Sequence, residues 1–291
     1  MKPKDILKKN GKTFFWASQF LPKDQAKDIA ILYSFCRFVD DLVDIHQQPC
    51  DQILYDLKNK KSQIQQVHDF LEMAKARNMS LEPAEILVSS LSCDRRGLRI
   101  KTWAELLRYC YGAAATVGLM MCDIFGVQNE RAYFFAIDLG IAMQLTNISR
   151  DIYEDAVQNK IYLPQEAFSR PLEPKDIDHS DQIFDVQEQL LQLADTYYKS
   201  SNSGMHYLST HARLAIMIAS RLYQAKGFTI RKNSRFYLKN RADVGLIRKI
   251  FHSSRALTSF FFDPSYTTGM RSTHQASLHQ DLLFLPGTNL P

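Results

Sequence analysis

The sequence predicts an all-α protein built as one large helical domain. Three observations carry this. Glycine and proline, 11 and 10 of 291 residues, make up about 7% of the chain against roughly 12% in an average protein. That leaves little material for the turns a many-stranded sheet protein needs. Apolar residues recur at spacings of three and four almost throughout, the helical period. The chain is 45% hydrophobic and only 23% charged, enough to build a core over most of its length and unlike a disordered segment.

The elements follow in order. Lys23 to Val43 reads as a helix entered after Leu21-Pro22, with Ile29, Leu32, Tyr33, Cys36 and Val39 on one face. Residues 51–77 form one or two amphipathic helices. Trp103 to Phe125 is helical and contains the small-residue stretch Gly112-Ala113-Ala114-Ala115. Glu130 to Asp155 is a long helix. Residues 158–181, with Pro164, Pro171 and Pro174, form the main irregular connection. Asp185 to Ser200, Arg213 to Lys226, and about Phe236 to Phe262 complete the helical set. From Asp263 the period is lost among Ser, Thr, His, Gly269, Pro286, Gly287 and Pro291. The expectation is a domain over residues 1–262 and an irregular tail over 263–291.

Charge and cysteine content narrow the function. The net charge of +5 is far below that of a dedicated nucleic-acid binder and suits an anionic small ligand or an anionic membrane surface. The five cysteines, Cys36, Cys50, Cys93, Cys110 and Cys122, form no C-x-x-C pair, which fits reduced thiols and a cytoplasmic setting. The Lys-rich first 15 residues lack the apolar core of a signal peptide. The longest uncharged run, the 14 residues Tyr109 to Cys122, is too short for a spanning helix. The protein is therefore expected to be soluble, or peripheral at the inner membrane face.

The carboxylates are the informative feature. Asp40-Asp41-Leu42-Val43-Asp44 and Asp151-Ile152-Tyr153-Glu154-Asp155 each place aspartates at i and i+4, on one helix face. A lone pair of this kind is most often a solvated surface. Here Gln144, Asn147, Asp151 and Asp155 form a continuous polar stripe beside the apolar stripe Ile141, Leu145, Ile148 and Ile152. That pattern suggests a lined cavity. Oxygen donors of this type select hard cations such as Mg²⁺, which commonly binds one or two carboxylates together with substrate phosphates. Spacing alone does not show that the two clusters face each other.

These segments resemble the squalene/phytoene synthase family of head-to-head prenyl synthases. The matching text includes Lys12-Thr13-Phe14-Phe15-Trp16-Ala17, the run from Leu32 to Asp44, Tyr109-Cys110-Tyr111-Gly112 through Val117 to Cys122, Gln144 to Asp155, and Ile161-Tyr162-Leu163-Pro164. It extends from about residue 10 to 255. The resemblance implies an isoprenoid synthase fold with a central cavity between two aspartate-rich helices. It implies condensation of two prenyl diphosphates through a cyclopropylcarbinyl diphosphate.

By the same resemblance Asp40, Asp44, Asp151 and Asp155, joined by Asn147, are the expected metal ligands for Mg²⁺, with Mn²⁺ as the alternative. Lys12, Arg37 and Arg150 are expected diphosphate partners, and Tyr237 and Arg241 a further contact. Tyr109 is expected near the reacting carbons, and Gln144 on the cavity wall. Tyr109, Ala113, Val117 and Met121 form an i,i+4 stripe fit to line an apolar chamber. The bland reading of the same small residues, Gly112 to Ala115 and Gly118, is close helix packing. Departures from the family text are Asn10 where His is common, Thr13 for Ser, and Lys160 where Arg precedes the Tyr-Leu-Pro segment. Lysine keeps the charge but loses the bidentate fork.

The product expected from the resemblance is 15-cis-phytoene, from geranylgeranyl diphosphate and without NADPH. Dehydrosqualene, squalene or presqualene diphosphate from farnesyl diphosphate is the alternative. A non-catalytic assembly factor would be expected to have eroded aspartates, and all four are present. A di-iron bundle needs Glu-x-x-His, which is absent. Nucleic acid is not an expected partner. A hydrocarbon product leaves poorly into water, so peripheral membrane docking through Arg235, Lys239, Arg241, Arg248, Lys249 and Arg255 is a further expectation, against the alternative of an ordinary basic helix face. Oligomeric state is not legible.

Overall fold

One long helix organises the rest. Helix α9, Arg131–Val157, buries Ile137, Ile141, Leu145, Ile148 and Ile152, spaced by three and four. It also buries Ala142, Thr146 and Ser149 on other faces, as a helix enclosed on several sides must. At about 1.5 Å per residue it is roughly 40 Å long. The computed structural model describes residues 1–94, 97–177, 181–240, 242, 245–263, 266 and 274–288. Among the described residues there is no strand, only an isolated parallel bridge between Arg99 and Ile161.

The other helices are α1 Pro3–Asn10, α2 Lys12–Ser18, α3 Lys23–Asp44, α4 Asp51–Asn59, α5 Gln65–Ala76, α6 Glu82–Asp94, α7 Trp103–Cys110, α8 Thr116–Phe125, α10 Gln182–Asn202, α11 Thr210–Lys232, α12 Ser234–Lys239 and α13 Leu246–Phe262. Helices α8, α10 and α11 pack around α9. Helices α3 to α6 form a second cluster centred on Phe35, stacked on Phe70 at 4.2 Å between ring centroids.

The segment expected as one helix from Trp103 to Phe125 is interrupted by a π turn, Tyr111–Ala115. Within this turn the Thr116 hydroxyl donates to Gly112 O at 2.9 Å. Close packing shapes this turn. A Cβ on Gly140 would lie 2.5 Å from Ala115 Cα, and one on Gly118 2.6 Å from Ala136 O. The expected helix from Phe236 to Phe262 is also divided. Asn233 caps α12 by accepting from Phe236 N at 3.2 Å, and Gly245 starts α13. Helices α1, α2 and α6 were not anticipated; the first two are only two turns long and carry little periodic signal.

The tail needs a correction. Residues 274–288 are part of the packed body, with a 3₁₀ turn at Ala276–Leu282. Leu282 is fully buried. The Tyr197 hydroxyl donates to Leu278 O at 2.7 Å, Arg108 Nε to Asp281 O at 2.9 Å, and the Tyr111 hydroxyl to Pro286 O at 2.6 Å. The missing helical period is real, but side chains from α7, α10 and the π turn satisfy this backbone instead. Backbone pairing of that kind leaves no trace in local periodicity.

Candidate active site

Helices α3 and α9 run through the same change of character. Ile29, Leu32 and Tyr33 of α3, and Ala136, Leu139 and Met143 of α9, line one apolar chamber. Further along, Arg37, Asp40 and Asp44 of α3 and Asp151, Glu154 and Asp155 of α9 line an adjoining polar one. Phe14, Tyr33, Cys36, Ala113, Gln144, Asn147 and Tyr223 border both, forming a collar between them. Phe14 lies 5.5 Å from Tyr223 and 6.5 Å from Tyr33 between ring centroids. The two aspartate clusters do share one cavity.

The acidic ends are electrostatically frustrated. Both clusters occupy the last turns of their helices, where the peptide dipoles already present negative charge. Neither last turn carries a basic residue. Counter-charge comes from elsewhere. Arg37 spans Asp40 at 3.0 Å and Asp41 at 2.5 Å. Arg150 forks onto Asp151, with Nε at 2.7 Å from Oδ1. Lys160 pairs with Asp44. Even so, burial and the neighbouring Asp44 push the Asp40 carboxyl up to about 6, with Arg37 opposing. A carboxyl held there gains from any further cation.

Donor chemistry at the mouth fits a hard cation. Asn147 Oδ1 is buried without a hydrogen-bond partner, while its Nδ2 donates to Gln144 Oε1 at 3.3 Å. That oxygen and those of Asp40, Asp44, Asp151 and Asp155 border one cavity, the all-oxygen set that Mg²⁺ prefers.

Lys12, Arg37, Tyr109, Ala113, Gln144 and Arg150 line the polar cavity. Val117 and Met121 line the apolar chamber, as do Ala113, Ala114 and Gly118. A π turn closes i→i+5, so residues four apart drift less around it than in an α-helix, and the stripe from Tyr109 to Met121 stays on the cavity. The small residues also serve packing, through Gly112, Ala115 and Gly118. Both readings of that stretch are realised, on different faces. Asn10, one of the departures from the family text, borders the polar cavity beside Lys9 and Lys12.

One expected contact is not brought in. Tyr237 lines neither cavity and packs edge-on against Phe236 at 5.0 Å, beside Leu191, Ile230 and Ala242. The short α12 ends before the mouth, and Ala242 reaches the polar cavity instead. Arg241 lies outside the described residues.

Other groups were missed. The sequence marks Lys160 only as a replacement for arginine, yet it pairs with Asp44. Asn159 adopts a left-handed turn (φ 62°) after α9 and places Lys160 back against Asp44. Lys226 is buried, with Nζ 3.9 Å from the centroid of Tyr223. Its signal was present: a lysine between Leu222 and Ile230, on the apolar face of α11. Tyr162 stacks on Tyr109 at 4.9 Å. Its segment is tied down by Ile161 N donating to Leu98 O at 3.2 Å and Gln165 N to Ile100 O at 3.0 Å.

Comparison with known proteins agrees with this geometry. Residues 7–248 match the family model for squalene/phytoene synthase. The chain is 32% identical over 241 residues to a 15-cis-phytoene synthase from Enterobacter agglomerans, covering 75% of this chain and 81% of that one. It is 29% identical over 260 residues to a 4,4'-diapophytoene synthase from Staphylococcus haemolyticus, covering 84% and 91%. A crystal structure of a dehydrosqualene synthase in complex with ligand superposes with a TM-score of 0.79 at 26% identity, over 89% of this chain and 95% of that one. Squalene synthase HpnC from Alicyclobacillus acidocaldarius shares the fold, with a TM-score of 0.70 at 20% identity over 79% and 92%. A helical body enclosing an apolar chamber with an acidic mouth, matched across more than 240 residues, identifies the chain as a member of the squalene/phytoene synthase family and a prenyltransferase of the phytoene synthase type.

Proposed function

We propose that the protein condenses two geranylgeranyl diphosphates head-to-head to 15-cis-phytoene, with Mg²⁺ as cofactor, Mn²⁺ as its alternative, and no NADPH. The observation that carries this reading is the collar joining an apolar chamber to an acidic mouth. It matches a substrate with a long hydrocarbon tail and a diphosphate head.

Asp40, Asp44, Asp151, Asp155 and Asn147 would hold the metal, and Lys12, Arg37 and Arg150 the remaining diphosphate oxygens. When bound, Mg²⁺ supplies counter-charge to the departing diphosphate. Pre-placed arginine and lysine side chains add to that stabilisation without reorganising as charge develops. The chamber walls exclude water from the carbocation. The first condensation releases one diphosphate and one proton to give the cyclopropylcarbinyl diphosphate. Its ionisation and rearrangement release a second diphosphate and a second proton. Tyr109, which lines the polar cavity, would position the leaving diphosphate.

A second reading is farnesyl diphosphate condensation to dehydrosqualene. It is favoured by the 4,4'-diapophytoene synthase relative and the dehydrosqualene synthase structure. Incubating the chain and Mg²⁺ with each diphosphate, with and without NADPH, decides. Phytoene from the C20 substrate is expected. Dehydrosqualene as the preferred product supports the second reading, and squalene formed only with NADPH overturns both.

Docking on an anionic bilayer completes the proposal. Helix α13 exposes Ile247, Ile250, Phe251, Phe261 and Phe262 alongside Arg248, Lys249 and Arg255, the apolar and basic combination of an interfacial helix. No helix among the described residues is long and apolar enough to cross a membrane. Flotation with anionic vesicles at low salt is expected, and its absence overturns the docking.

A further inference from the structure

The C-terminal segment delivers two histidines onto a buried carboxylate that the cavities do not use. Asp138, on α9, is completely buried and lines neither cavity. His279 Nε2 lies 2.9 Å from Asp138 Oδ1 and His274 Nε2 3.1 Å from Oδ2, with the two imidazole side chains only 3% and 4% exposed. The Ser200 hydroxyl donates to Oδ2 at 2.5 Å. Phe134 stacks on His274 at 5.2 Å, and Phe135 meets it edge-on at 5.6 Å. One ligand atom from each of Asp138, His274 and His279 falls within 4.8 Å of the others.

Hydrogen bonds alone leave this cluster unbalanced. Nδ1 of both rings is buried without a partner, and His274 Nε2 makes no aligned hydrogen bond despite its closeness to the carboxylate. Each orphaned group of this kind destabilises the fold. In the tautomer that carries its proton on Nε2, His279 donates to Asp138 Oδ1. A cation between them turns both into ligands.

We propose that Asp138, His274 and His279 bind a divalent transition-metal ion of the zinc class, which staples the C-terminal segment to α9. Two nitrogens and one carboxylate oxygen are an established zinc donor set. Ligands about 2.0–2.1 Å from one tetrahedral ion stand about 3.3 Å apart. The observed 2.9 and 3.1 Å run to the two different oxygens of Asp138, and one ligand atom from each residue lies within 4.8 Å of the others, so a shared ion needs a rotation of the carboxylate or of one ring. Ser200 Oγ or a water takes the fourth position. The site is closed and structural, separate from the acidic mouth and independent of the prenyl chemistry.

The test uses the full chain, stripped by chelator and titrated with Co²⁺ and Zn²⁺. About one cobalt per chain, with the ligand-field spectrum of a tetrahedral centre, is expected in the wild type and in Asp40→Ala, and is lost in His279→Ala and His274→Ala. Zinc should raise the wild-type Tm by several degrees, and chelator reverse it. A tetrahedral signal that survives both histidine substitutions, or disappears only in Asp40→Ala, overturns the proposal. If the histidine variants do not fold, the wild type decides alone: no tetrahedral cobalt spectrum, or no shift of Tm with zinc, overturns it.

Discussion

Lys160 and Asp44, 116 residues apart, form an ion pair in which the lysine is nearly buried and the aspartate one third exposed. The pair locks the turn after α9 onto the last turn of α3. The two acidic helix ends are thereby held across one mouth.

Removing one partner of such a pair weakens the compensation of the buried charge. Asp44→Ala should lower stability in urea by about 1–2 kcal/mol. The double variant Asp44→Ala/Lys160→Met should recover at least half of that loss. Equal stabilities for the single and double variants would show that the pair does not act as argued.

Asp40 should make the metal-free protein sensitive to pH. Its carboxyl stands at about 6 instead of 3.8, so the folded state favours the protonated form. That contribution is fully present below pH 3.8 and lost as pH rises through 6. With chelator present, wild type should therefore fall in stability relative to Asp40→Asn between pH 4 and 7. The expected loss is about 1 kcal/mol, the full shift being reduced by the partial exposure of the side chain. Parallel stability curves for the two proteins would sink the argument.

Gly140 is fixed by backbone proximity. An added Cβ meets Ala115 Cα at 2.5 Å and Ala114 O at 2.8 Å, so Gly140→Ala must push α9 off the π turn. A loss of about 2–3 kcal/mol is expected. Gly245→Ala, whose added Cβ meets nothing within 4 Å among the described residues, is the control and should cost about 1 kcal/mol or less, as a changed helix N-cap. Thermal melts of both variants check this.

Val117 projects into the apolar chamber. Val117→Phe shortens the space for a tail, so kcat/KM should fall at least about tenfold more for the C20 diphosphate than for the C15. Competition between the two substrates, with products resolved by chromatography, is the measurement. An equal fall for both would place the tails elsewhere.

Tyr109→Phe keeps the stack on Tyr162 and removes only the hydroxyl. If that hydroxyl positions the leaving diphosphate, kcat should drop about 100-fold with Tm unchanged. A drop in Tm with kcat preserved would assign Tyr109 to packing instead.

Much of this was legible in the chain itself. The period of α3 and α9, the i,i+4 aspartates and the Gln144–Asn147–Asp151–Asp155 stripe depend only on residues close in sequence, which helical geometry alone brings onto one face. Tertiary structure decided what joins distant residues: that Lys160 answers Asp44, that Lys226 and Tyr223 join the wall, that Tyr237 does not, and that His274 and His279 close over Asp138. The scarcity of glycine and proline foretold long helices. It could not foretell that a segment without helical period would pack on them, because that segment's backbone is satisfied by side chains from other helices. Local sequence determines what repeats along a helix, whereas contacts between helices depend on the packing of the whole chain.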